Sequence, residues 1–149
     1  MTVMDVSTFQ RLFRDAAGLE VDGSDLPRCN AVVTRTLYRM LLAAQATAAT
    51  YHRYIIEPGD LPITQGLQEN IDRFTMLAQR LDLERILAQL ATYRPLDRIP
   101  ATETTSRFPD IVGGLTMALA RTLTLIDPQM THPREAHWAT LRSLVDLYL

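Results

Sequence analysis

A chain of 149 residues can bury about 68 to 70% of its unfolded surface, so one compact domain over 1–149, or two tightly fused small units, is expected. Hydrophobic residues make up 47% and charged residues 21%, which excludes a disordered chain, and no apolar run approaches the roughly 18 residues that would read as a membrane span. The 15 basic residues, all arginine, face 17 acids for a net charge of −2, which is not the balance of a protein that neutralises many phosphates.

The first element is a helix of about three turns, with Ser7-Thr8-Phe9-Gln10 fitting a capping box and Gly18-Leu19 a left-handed stop. Asp5, just ahead of it, spoils a secretory start. An acidic turn from Glu20 to Asp25 follows. Leu26 to Arg53 then reads as one helix of about seven turns, with Ser24 or Asp25 as cap and Pro27 in the first turn. Leu26, Cys29, Val33, Leu37, Met40, Leu41, Ala44 and Ala48 recur at steps of three and four and mark its core face. Cys29 has no second cysteine to pair with, so a reducing compartment such as the cytoplasm is expected, and on that face the residue reads as a small core side chain. Arg28, Arg35, Arg39 and Arg53 fall within about 40° of one another on the far side of the wheel, where charge collects opposite a core.

Tyr54-Ile55-Ile56 reads as a brief extended segment before the Pro58-Gly59 turn. Asp60 is expected to cap a third helix, with Pro62 in its first turn and Ile63, Leu67, Ile71, Phe74, Leu77 and Leu81 on one face. Residues 1–81 thus read short helix, long helix, short helix, and residues 82–149 repeat that order in diverged form.

In the second half Asp82 caps a helix from Leu83 to Thr92, and a proline-punctuated stretch leads to a long element opened by Thr102 or Thr104, with a kink expected at Pro109. Gly113 and Gly114 lie inside it. Helix-interior glycine costs about 1 kcal/mol relative to alanine, so a close crossing against the small face around Ala44 and Ala48 is the expected reason for keeping both. Pro133 and Glu135 open the last helix, with Leu141, Leu144, Val145 and part of Trp138 turned inward.

Gln10-Arg11-Leu12-Phe13-Arg14-Asp15-Ala16 resembles the first-helix motif of archaeal histones, and Arg53-x-x-Ile56-x-x-x-Asp60-Leu61 resembles their second-loop motif, in which an Arg pairs with an Asp. The ungapped spacing between them matches as well. With its diverged second half the chain is similar to a small bacterial family of uncharacterised proteins that carry two histone folds in one polypeptide. The resemblance implies an all-α chain of tandem histone folds, an intramolecular pseudodimer whose long helices cross antiparallel, with Arg53 and Asp60 as a structural loop pair. Periodicity and caps alone give only an all-α domain of six helices.

The departures from the family bear on function. Where DNA-wrapping histones set a basic residue and a Thr against phosphates, this chain has Tyr54 and Ile55, and a further Arg position holds Glu20. Of the DNA-facing set Arg11 and Arg14 remain. A non-enzymatic interaction or assembly module, engaging another protein or a second copy of itself, is therefore the leading reading. The alternative is a nucleoid-associated protein binding DNA phosphates through Arg11 and Arg14, helped by Arg28, Arg35 and Arg39. No catalytic group, cofactor or metal set is expected: His132 and His137 are five apart and share no helix face, and Gly113-Gly114 lacks the strand-turn-helix setting of a phosphate loop.

Overall fold

The structure, a computed structural model, describes residues 1–148. Its first half contains α1 (Val6–Ala17), α2 (Leu26–Thr50) and α3 (Gln65–Thr75), and its second half α4 (Leu83–Leu90), the single turn α5 (Thr102–Thr105), α6 (Phe108–Ile126) and α7 (Glu135–Tyr148). Two-residue strands β1 (Ile55–Ile56) and β2 (Ile99–Pro100) pair in parallel, Ile55 beside Ile99. The chain is thus mostly helical, and its strand content among the described residues is confined to that one pairing.

Capping chemistry explains where the helices begin, and it moves several ends from their expected places. Thr8 N donates to the Asp5 carboxylate at 2.8 Å, so α1 starts ahead of the Ser7 box. Gly18 stops it in the left-handed conformation at φ 65°. Thr64, not Asp60, caps α3, accepting from Leu67 N at 3.1 Å, and Asp60 sits in a separate 3-10 turn, Pro58–Asp60. Helix α6 begins at Phe108, so Pro109 lies in its first turn, where a missing N–H costs nothing, and no kink is needed.

The two halves are laced together. Helices α1 and α3 lie on α6 of the other half and scarcely touch α2, whereas α4 and α7 reach α2 as well as α6. Buried apolar side chains from both halves form one cluster, with Phe9, Phe13, Leu37, Phe74, Phe108 and Leu123 fully enclosed. Between the halves, Ala101 N donates to Ile56 O at 2.9 Å and the Thr104 hydroxyl to the same oxygen at 2.7 Å.

The role expected of the small residues is corrected. A methyl group added at Gly113 would run into the Phe74 ring, and one at Gly114 would come within 2.5 Å of the Ile71 side chain and 2.9 Å of its backbone nitrogen. The nearest neighbours of both glycines therefore belong to α3, not to Ala44 or Ala48. Ala44 and Ala48 are fully buried, and α2 and α6 do touch, but the helix that needs the bare glycines is α3.

Candidate functional site

The loop after α2 is held by a cluster of hydrogen bonds and ion pairs around Arg53. Just past the end of α2, His52 takes φ 56°, a left-handed position held without glycine, while Arg53 N donates back to Ala48 O at 2.9 Å. That turn aims the Arg53 guanidinium across the loop. Its two terminal nitrogens each donate to an Asp60 oxygen at 2.8 Å, and Nη1 also donates to Ile55 O at 3.1 Å. Asp60 accepts a further bond from Glu57 N at 2.8 Å, and its side chain is only 5% exposed. Hydrogen bonding to Arg53 holds the Asp60 carboxyl below the ordinary carboxylate range, against the opposing effect of burial.

At the apex of this loop apolar groups face outward. Tyr51, Tyr54, Ile55 and Ile99 are all exposed, with Ile55 and Ile99 side by side in the strand pairing and the Arg53 guanidinium 5.7 Å from the Tyr51 ring centre. Part of the backbone here is bonded within the fold: Tyr54 O accepts from Ile99 N and Arg53 O from Arg98 Nε. The exposed surface of the apex is aromatic and aliphatic.

Most of the arginines singled out from the sequence have carboxylate neighbours. Arg35 and Arg39 both reach Asp146 of α7, at 3.1 and 3.3 Å. The far side of the α2 wheel is therefore partly covered by α7, and two members of the basic ridge are engaged within the fold. Arg14 lies 4.0 Å from Glu20, both largely exposed. Arg11 and Arg28 are exposed, and no ion pair forms at either among the described residues. Arg28 and Arg35 line a cleft of about 560 Å³ between α2 and α7, together with Arg142, Glu135, Trp138 and Asp146. Its titratable lining among the described residues is Tyr93, the carboxylates Glu135 and Asp146 and the three arginines.

Cys29 is buried in the core, where desolvation pushes its thiol well above the usual range and disfavours the thiolate. The two late histidines bind different acids. His137 accepts from Arg134 N at 2.9 Å through Nδ1 and meets Asp127 at 3.0 Å through Nε2, and this bond holds the Asp127 carboxyl below its usual range. His132 lies beside Asp22 and Asp25, a grouping that no spacing in the sequence announces, because it joins the α1–α2 loop to the α6–α7 loop. Trp138 Nε1 donates to Asp25 at 3.1 Å in the same place.

Comparison with known proteins places the chain among relatives identified by fold. It is similar to the crystal structure of ttk003001566 from Thermus thermophilus, with 36% identity and a TM-score of 0.96 over 99% of this chain and 100% of that one. Protein AQ328 from Aquifex aeolicus shares the fold at 20% identity, with a TM-score of 0.80 over 96% of this chain and 94% of that one. No curated protein matches the chain. The family model described as a domain of unknown function, DUF1931, matches residues 9–146. The chain belongs to that family, DUF1931.

Proposed function

We propose that the chain is a non-enzymatic interaction or assembly module, built as two histone folds paired within one polypeptide. The observation that carries the scaffold reading is the exchange of short helices: α1 and α3 of the first half pack on α6, and α4 and α7 of the second reach across to α2. The parallel pairing of β1, after the first long helix, with β2, before the second, ties the halves in the same sense. Under this reading 1–81 and 82–149 are the two repeats, and a single chain supplies both partners of the pair.

The surface favours protein contact over DNA. Tyr54 and Ile55 stand where the resemblance would put phosphate-binding groups, and both are exposed. Arg35 and Arg39 share the single carboxylate of Asp146, which offsets one of their two charges and ties both to α7, so Arg11, Arg14 and Arg28 are the more exposed cations of that set. So few contacts give weak affinity at best, since each phosphate neutralised adds to the salt-dependent binding. The partner is another protein or a second copy of the chain, docking on the apolar loop apex.

A gel-shift titration on duplex DNA across a salt series, run beside the Arg11→Ala/Arg14→Ala variant, tests the choice. The expected result is no shift at moderate salt and no difference between the two proteins. Tight binding that weakens steeply with salt and is lost in the variant would establish the DNA-binding alternative instead.

A further inference from the structure

We propose that Asp22, Asp25 and His132 form a binding site for a single zinc ion, clamping the α1–α2 loop to the α6–α7 loop. His132 Nε2 lies 3.6 Å from an Asp25 oxygen and 3.8 Å from an Asp22 oxygen, and three donor atoms of the group lie within 4.8 Å of one another. Both distances are long for a hydrogen bond. They are close to the roughly 3.3–3.6 Å that separates donors around a tetrahedral zinc with bonds of about 2.0–2.2 Å. The exposed side chains of His132 and Asp22 would have to rotate to close the remaining gap.

The carboxylates are held so that one oxygen of each is turned toward the imidazole. Asp22 Oδ1 accepts from Ser24 N at 2.8 Å, and Asp25 Oδ1 accepts from Trp138 Nε1 at 3.1 Å, which leaves each Oδ2 beside His132. Asp25 Oδ2 also accepts from Asp22 N at 3.0 Å, which fixes that oxygen and leaves it a second lone pair for a metal. Such outer partners orient metal ligands and sharpen affinity. The loops themselves are joined by Glu20 N donating to Thr131 O at 2.8 Å, so the two loops do not have to be brought together on binding.

The Asp25 side chain is only 7% exposed; both its oxygens accept hydrogen bonds, from Trp138 Nε1 and Asp22 N, and among the described residues its sole ion-pair neighbour is His132, with no arginine in reach. A divalent ion would add a full countercharge to those neutral donors. One imidazole nitrogen with two carboxylate oxygens suits zinc better than magnesium or calcium, which favour all-oxygen shells. Exposure of His132 and Asp22, at 48% and 57%, gives the ion a route in. With three protein ligands, water completes the shell.

Chelator-treated, desalted protein titrated with zinc chloride by calorimetry, with metal content measured after gel filtration, tests the site. The expected result is one zinc per chain, a rise in thermal midpoint on loading, and at least about tenfold weaker binding in His132→Asn and in Asp22→Asn. Both changes are at exposed positions, and circular dichroism of each variant establishes that it is folded. Absence of stoichiometric zinc, binding that survives His132→Asn, or calcium or magnesium held as tightly as zinc would each overturn the proposal, the first leaving a plain ion pair.

Discussion

At the scale of single residues the account turns on Asp60. Replacing it with alanine removes both guanidinium bonds and the bond from Glu57 N, so Asp60→Ala is expected to lower stability by about 1–3 kcal/mol in urea unfolding at neutral pH. The folded carboxyl sits below the usual value of 3.8, so its contribution is complete above that value and is lost as pH falls through the lower, folded one. The stability gap between wild type and Asp60→Asn should therefore be full at about pH 6 and shrink below about pH 4; a gap that stayed constant into acid would show that ionisation of Asp60 is irrelevant. Arg53 and Asp60, seven residues apart around a turn, are expected to pair only through the resemblance of their short motif, since the residues themselves read Asp60 as a helix cap. Asp25 with His132, or Arg39 with Asp146, are joined only by the folded molecule, and nothing in their spacing marks them.

At the scale of elements, periodicity placed the helices, while their ends moved with the side chain that wins the cap: Asp5 for α1 and Thr64 for α3. The two interior glycines were readable as a close approach, but the approaching surface was not. A helix wheel says that a face is bare and leaves open which neighbour uses it, and here Phe74 and Ile71 take the space expected for Ala44 and Ala48. Gly113→Ala should gain about 1 kcal/mol of helix propensity yet lose more by driving the Phe74 ring out of place, a net destabilisation of about 1–3 kcal/mol. Gly66→Ala in α3 meets nothing within 4 Å and should stabilise by a few tenths to about 1 kcal/mol. Thermal melts of the two variants check this; equal shifts of the same sign would remove α3 as the cause of the bare surface on α6.

At the scale of the whole molecule the short helices of the first half lie on the long helix of the second, so neither half encloses a core alone. No helix among the described residues is long and apolar enough to cross a membrane. The mostly helical class was plain from periodicity and caps, but the lacing of the halves depends on contacts far apart in the chain. Trp138, the one tryptophan, reports on it directly, because it sits in α7 of the second half and donates to Asp25 at the start of α2. The decisive measurement is urea unfolding of wild type and Asp60→Ala, followed both by Trp138 fluorescence and by far-ultraviolet circular dichroism. Interlocked halves predict one transition with coincident midpoints by the two probes, and a change in the first half that shifts the tryptophan signal of the second by the same amount. Two separate transitions, or a Trp138 midpoint untouched by Asp60→Ala, would contradict it.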